Sequence, residues 1–245
     1  FKKDGHPVTY YYQQNKGLAA ARNKALSLSK GDYIAFIDHD DLWLPDKLRK
    51  QIQIAHEDSN EKAALVYSRS VWFGEDGEEH DAAPRYAGCN MPEGRILYNL
   101  LMEDDFITLS SVMARRDVCL SLGGFPEDYR YAEDYYLFAA IAARCDIRCV
   151  QSVCCKYRVH EKNVTRQLKT AGFKEKLAVF NKWSPFLGKE VSAELKQVKI
   201  RELQTLIGAM MIKYDKRYAA GCWHVLARGS VPVLFKETWR YLWSR

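Results

Sequence analysis

The sequence predicts an α/β fold: a mixed, mainly parallel sheet flanked by helices, with a helical region appended at its C-terminal end. Three observations carry this reading. Strand-like and helix-like segments alternate from Val8 to Phe73, the apolar run Tyr33–Ile37 stops abruptly at Asp38-His39-Asp40-Asp41, and from about Phe173 only helical periodicity remains. Strand–helix alternation implies parallel strands with helices packed on the faces of the sheet. In such sheets ligands bind beyond the carboxyl ends of strands, where the acidic cluster falls.

Each element has a local justification. Val8–Tyr12 is β-branched and aromatic and reads as a strand, with Tyr10–Tyr12 as strand packing. Asn15-Lys16-Gly17 turns the chain into a helix whose apolar positions are Leu18, Ala21, Ala25 and Leu28. Gly31-Asp32 ends it and leads into the acidic-tipped strand. Pro45-Asp46 opens a second helix with Leu48, Ile52 and Ala55 on one face. Ala64–Phe73 returns as strand. Pro92–Met102 is predicted as helix, Phe106–Met113 as strand, Arg115–Leu122 as a short helix, Glu133–Arg144 as helix and Ile147–Tyr157 as strand. Beyond them, Val191, Leu195 and Val198 form one helical stripe, and Ile200, Leu203, Ile207 and Met210 another. The expected division is 1–168 for the α/β unit and 169–245 for a basic helical region.

Composition narrows the class. The chain has 245 residues, 47% hydrophobic and 28% charged, as in ordinary globular proteins. No apolar run is long enough to span a bilayer, and no basic-then-apolar leader is visible. Seven cysteines are an odd number in a chain too large to need disulfide staples. Cys145, Cys149, Cys154 and Cys155 lack the paired spacing of a structural zinc site and read as reduced core thiols, which suggests a cytoplasmic setting. The formal charge of +6 is unevenly spread: residues 1–168 carry 22 Lys and Arg against 25 Asp and Glu, whereas 169–245 carry 15 against 6. A basic tail that ends in Trp239-Arg240-Tyr241-Leu242-Trp243 suits contact with an anionic membrane surface, and equally suits a helix packed with its cations outward.

The acidic cluster carries the chemistry. Side chains two apart on a strand share a face, so Asp38 and Asp40 converge. Like charges held that close repel unless a proton or cation lies between them. A hard divalent ion that takes one or two carboxylates, with water and substrate phosphate completing its shell, meets that need.

Read in order, Asn15-Lys16-Gly17, Ala21-Arg22-Asn23, Gly31-Asp32-Tyr33-Ile34, Asp38-His39-Asp40-Asp41 with Pro45, Gly123-Gly124-Phe125, Glu133-Asp134 and Tyr157-Arg158-Val159-His160 with Asn163 form a pattern. It resembles that of the inverting glycosyltransferases of family 2, which have the GT-A fold, over about residues 8–165. The resemblance implies metal-dependent transfer of a sugar from a nucleotide-sugar, a UDP-sugar by family habit, to a saccharide or lipid-linked acceptor in polysaccharide or cell-envelope synthesis. It implies Asp40 as the ligand of Mn2+ or Mg2+, aided by Asp38 and His160. Asp134 is implied as the general base, with Glu133 beside it at the acceptor pocket. Asn15, Gly17, Arg22, Asp38 and His39 are implied on the donor side. No nucleic-acid partner is expected. The apolar first strand and the acidic segment that hold the nucleotide base in the family have no counterpart in residues 1–7, so a fragment of a longer protein is expected. Two alternatives stay open on the residues themselves: a carboxylate–metal phosphohydrolase, and an inactive remnant that binds membranes through its tail.

Overall fold

The computed structural model describes residues 8–57, 63–74, 77–103, 105–161, 163, 170–189 and 191–213. Its elements are α1 (Leu18–Leu28), β1 (Tyr33–Ala35), β2 (Leu42–Trp43), α2 (Lys47–Glu57), β3 (Ala63–Phe73), β4 (Glu79–Asp81), β5 (Met113–Arg115), α3 (Arg116–Ser121), α4 (Glu133–Ala142), β6 (Asp146–Arg158), α5 (Thr170–Trp183) and α6 (Ala193–Lys213). A π-helical turn at Asn99–Glu103 stands where the longer helix Pro92–Met102 is predicted. The predicted strand Phe106–Met113 is instead a 3-10 turn at Leu109–Ser111 followed by the short β5.

The sheet is mixed and flanked by helices, with strand order β1-β5-β3-β6-β2 and β4 paired to β3. Its longest pairing, β3 with β6, is parallel and runs from Ala63–Asp146 to Phe73–Arg158, as strand–helix alternation requires. The other four pairings, β1–β5, β3–β5, β2–β6 and β3–β4, are antiparallel. Parallel pairing thus holds the centre, and the short strands added around it run the other way.

Three segments depart from the sequence reading, each for a packing reason. Residues 8–17 form no strand; Tyr10, Tyr11 and Tyr12 are exposed, because no strand among the described residues pairs with them. On α1 the buried positions are Ala19, Ala20 and Leu26, while Leu18 and Leu28 face water. Ala19, Arg22, Asn23 and Leu26 follow i, i+3, i+4, i+7 spacing, so two polar residues share the inward stripe. On α2 the buried face is Lys47, Gln51 and Ala55 rather than Leu48, Ile52 and Ala55. Gln51 Nε2 donates to Val66 O at 2.7 Å and Ser111 O at 2.8 Å. Lys47 Nζ donates to Gln51 Oε1 at 2.8 Å and lies 4.3 Å from the centre of the Trp43 ring. These contacts satisfy groups that would otherwise be costly to bury.

The main core lies between β3, α4 and α5. Leu65, Tyr67, Phe125, Phe138, Ile141, Ile147, Val179, Phe180 and Trp183 belong to one continuous cluster, which also takes in Leu187, Val191 and Leu203. Phe180 and Trp183 on α5 are almost fully buried. At about 1.5–3 kcal/mol for each large apolar side chain removed from water, that packing fastens α5 to α4. On α6 Leu203, Ile207 and Met210 are buried, whereas Leu195 and Val198 are exposed. Cys149, Cys154 and Cys155 are buried and Cys145 partly so. Among the described residues no helix is long and apolar enough to cross a membrane. The Trp- and Arg-rich segment after Pro232 lies outside the described residues.

Candidate active site

The acidic cluster lies beside the carboxyl end of β6 because β2 pairs there, with Leu42 opposite Lys156 and Trp43 opposite Cys155. Two bonds fix its register. Arg158 N donates to Asp41 Oδ1 at 2.9 Å, and Arg158 Nε donates to the Asp40 carbonyl at 2.9 Å. The Arg158 guanidinium rests 4.4 Å from the Phe73 ring centre. The backbone N–H of Asp38 donates to Ser110 Oγ at 3.0 Å, and Trp43 Nε1 donates to Ser110 O at 2.6 Å. Asp41 is buried, and burial raises its carboxyl pKa against the opposing bonds from Ser110 and Arg158. The third aspartate of the cluster therefore anchors the turn.

Arg22 joins the two acidic regions. Its Nη1 donates to Glu133 Oε1 at 2.5 Å, and its Nη2 donates to Asp38 Oδ1 at 3.1 Å. The Arg22 side chain is 12% exposed and that of Glu133 only 4%. Residues 22, 38 and 133 thus meet at one guanidinium, stacked 5.7 Å from the Phe125 ring centre. Burial works against the charge of Arg22, but Asp134, Asp38 and Glu133 outweigh it and hold its pKa above the ordinary value.

Within each acidic pair the second carboxylate has other company. Asp40 Oδ2 lies 2.9 Å from His160 Nε2, and Asp40 Oδ1 lies 3.8 Å from His39 Nδ1. Burial tends to raise the Asp40 pKa, yet the His160 contact, backbone donors and His39 prevail and hold it below the usual carboxylate range. Asp134 Oδ1 accepts from the Tyr135 N–H at 2.7 Å, and burial pushes its carboxyl pKa up although Arg22 opposes. Glu133 is raised to about 7, first by burial and then by the neighbouring Asp134 charge, with Arg22 pulling the other way. Its Oε2 has no hydrogen-bond partner among the described residues.

The loop before α4 is pinned at both ends. Asn23 Oδ1 accepts from Phe125 N at 2.8 Å, and Asn23 Nδ2 donates to Phe125 O at 2.8 Å. The chain can pass that close only as glycine: Gly124 has φ +71°, and a Cβ there would meet Asn23 Oδ1 at 2.4 Å. At the other end, Glu175 on α5 accepts from the backbone N–H groups of Arg130, Tyr131 and Ala132 at 3.1, 2.8 and 3.0 Å.

The sequence-predicted residues are therefore distributed as follows. Asp38, Arg22 and Glu133 are directly joined, Asp134 adjoins them in the chain, and Asp40 and His160 are in contact. His39 is almost fully exposed and makes a long contact to Asp40. Asn15 Oδ1 accepts from Gly17 N at 3.0 Å, and Gly17 precedes α1 with φ +92°. That turn is exposed, and among the described residues its hydrogen bonds reach none of the acidic groups. Sequence reasoning assigned no role to Asn23, Ser110, Arg158 or Glu175. Asn23 and Arg158 lie inside the quoted motifs; Ser110 and Glu175 carry no local signal.

Among the described residues no three acidic, His or Cys side chains converge to hold a metal by themselves. The Asp40–His160 contact nevertheless sets one carboxylate oxygen beside one imidazole nitrogen. That donor pair fits Mn2+, or an Mg2+ held mainly through oxygen, if water and a diphosphate supply the remaining ligands.

Comparison with known proteins identifies the family and the fold. Residues 1–206 match the family model described as "Glycosyltransferase like family 2". An Escherichia coli protein, WfaP, is 32% identical over 164 residues, covering 66% of this chain and 60% of its own length. TuaG of Bacillus subtilis (strain 168) is 51% identical over 107 residues, covering 44% of this chain and 39% of its own length. The chain spans about half the length of these curated relatives. Two solved structures superpose on nearly all of it. Staphylococcus aureus TarS 1–349 in complex with UDP-GlcNAc gives a TM-score of 0.52 at 14% identity, covering 96% of this chain and 62% of its own. The mannosyltransferase PcManGT from Pyrobaculum calidifontis, in complex with GDP-Man and Mn2+, gives 0.51 at 18%, covering 94% and 63%. At these identities the likeness speaks for the GT-A type of fold alone. With its family model matched over residues 1–206, the chain belongs to glycosyltransferase family 2.

Proposed function

We propose that this chain transfers a sugar from a nucleotide-sugar, a UDP-sugar in the first instance, to a hydroxyl acceptor with inversion at the anomeric carbon. The observation that carries the reading is the Arg22 bridge. It ties the Asp38 end of one acidic pair to the Glu133 end of the other, so a metal-holding and a proton-accepting carboxylate lie at one end of the sheet. Asp40 and His160 would hold Mn2+ or Mg2+ there, with Asp38 completing the acidic face. When bound, the ion neutralises the charge that develops on the leaving diphosphate. Asp40 suits that task because its neighbours keep it ionised. Asp134 takes the proton of the attacking hydroxyl; its burial makes it a stronger base than a free aspartate. Direct attack opposite the leaving group inverts the centre. Glu133, locked to Arg22, orients the pair. His39, Asn15 and Gly17 are assigned to the donor side.

The relatives' names support the substrate class. WfgD and WfaP of Escherichia coli are named as UDP-Glc:alpha-D-GlcNAc-diphosphoundecaprenol beta-1,3-glucosyltransferases, and TuaG is named for teichuronic acid biosynthesis. These names support a lipid-linked saccharide acceptor in cell-envelope assembly, with the enzyme proposed to lie at the inner face of the membrane and the basic region 169–245 toward anionic lipid. Flotation with vesicles containing anionic lipid tests that placement, and failure to co-float removes it.

The deciding assay incubates the protein with UDP-glucose, UDP-GlcNAc and GDP-mannose in turn, with Mn2+ and a saccharide-diphosphate lipid. Release of nucleoside diphosphate that needs both acceptor and cation, and that vanishes in Asp40→Asn and Asp134→Asn, is the expected result. Inorganic phosphate as the product would replace sugar transfer with phosphohydrolysis.

A further inference from the structure

We infer that Glu175, in the helical C-terminal region, is a positioning residue for the Glu133-Asp134 pair. The inference rests on the reading of Asp134 as the base. Helix α4 begins at Glu133, and its N-cap residue is Ala132, with no side-chain cap of its own. The four leading N–H groups of a helix and the turn before it need partners, and an alanine offers none. Glu175 supplies partners for the N-cap residue and the two residues before it, from 43 to 45 residues away. One carboxylate takes the N–H groups of Arg130, Tyr131 and Ala132, with Oε2 shared among all three. Bonds from backbone N–H groups to a carboxylate are charge-assisted and stronger than neutral ones. The negative charge also sits at the positive end of the α4 dipole.

The carboxylate is carried on a rigid mount. On α5, Val179, Phe180 and Trp183 are buried in the core shared with α4. Trp183 meets Tyr136 edge-on at 5.5 Å, and Lys182 lies 5.0 Å from the Tyr136 ring centre. The turn from Arg130 to Ala132 is therefore set by α5, and Glu133 and Asp134 follow it directly in the chain. At the far end of the same loop, Asn23 holds Phe125. A displaced base costs rate without weakening donor binding, since misplacement of about an ångström is enough to slow transfer greatly. The helical region after residue 168 accordingly takes part in building the site.

Two measurements on the same variants test this. Amide hydrogen exchange should accelerate at least about tenfold at Tyr131 and Ala132 in Glu175→Ala, less in Glu175→Gln, and remain slow in the body of α4. In the transfer assay kcat should fall about tenfold or more in Glu175→Ala, with donor KM within about twofold of the parent, and Glu175→Asp should recover part of the loss. Unchanged exchange at those amides overturns the inference whatever the activity. Faster exchange with unchanged kcat also overturns it, as does a kcat loss that disappears once rates are expressed per folded molecule. Failure of the underlying reading looks different: Asp134→Asn would then retain activity, while the exchange result at residues 130–132 would stand by itself.

Discussion

The two acidic pairs, Asp38 with Asp40 and Glu133 with Asp134, share a design and differ in electrostatics. In each, one carboxylate is bound to Arg22, and its companion is left to other neighbours. The Asp40 companion is a histidine at the partly exposed rim, which favours the charged form. Asp134 is instead governed by burial, with the Asp38 charge adding to it, and the two favour the proton against the opposing pull of Arg22. One arginine thus joins two acidic pairs whose other members differ in temperament: on the proposed reading Asp40 is kept ionised to attract a cation, and Asp134 is kept basic to accept a proton. Environment, not residue type, separates the roles.

Separating the roles experimentally gives the largest expected effect. Asp134→Asn should lower kcat by on the order of 10²–10⁴-fold with donor binding little changed, while Asp40→Asn should weaken Mn2+-dependent donor binding in a titration. If both variants lose the same parameter, the contrast between the pairs fails. Arg22→Met attacks the link itself. It leaves Glu133 buried without its counter-charge, so chemical denaturation should show a loss of about 3–5 kcal/mol, with the larger share recovered in the double variant Arg22→Met, Glu133→Gln.

A pH series sharpens the second pair alone. The Glu133 carboxyl is raised from 4.5 to about 7, so the folded chain binds this proton more tightly than the unfolded chain. Its contribution is whole below pH 4.5 and is lost as pH rises toward 7. Across that window the parent should lose up to about 3 kcal/mol relative to Glu133→Gln. Parallel curves would show that the buried glutamate is ionised throughout. The smallest effect comes from Gly124→Ala, which strains a φ of +71° and pushes a methyl onto Asn23. A loss of about 1–3 kcal/mol in thermal or denaturant unfolding is expected, with transfer slowed and Mn2+ titration unaffected, because only the loop to α4 is displaced.

Much of this site was legible in the sequence because order and spacing survive folding. Glu133-Asp134 opens a helix and His160 follows a long strand, as periodicity and motif placed them. The triplet Asp38, Asp40 and Asp41 follows the apolar run, but β1 ends at Ala35, so Asp38 and Asp40 lie in a turn rather than on one face of a strand. What stayed hidden was polar and inward-facing. Apolar periodicity turned α1 toward Leu18 and Leu28, whereas Arg22 and Asn23 occupy the buried stripe. It turned α2 toward Leu48, although Lys47 and Gln51 are the buried residues. A hydrophobic pattern cannot register a buried polar group whose partners come from elsewhere in the chain. Tyr10–Tyr12 have strand composition without a strand to pair with among the described residues. Glu175 is one acidic residue on a basic helix, and nothing local marks it as the cap of another.

The span of the Arg22 contact has a consequence for how this molecule comes into being. Its two partners lie 16 and 111 positions away, and the carboxylate that braces α4 is more than forty residues later still. Closure of such distant loops is slow and comes late. A nascent chain that has emerged only as far as the aspartate triplet therefore lacks the partners that join it to Glu133 and brace the turn before α4. Those contacts form only once the chain through Glu175 has packed.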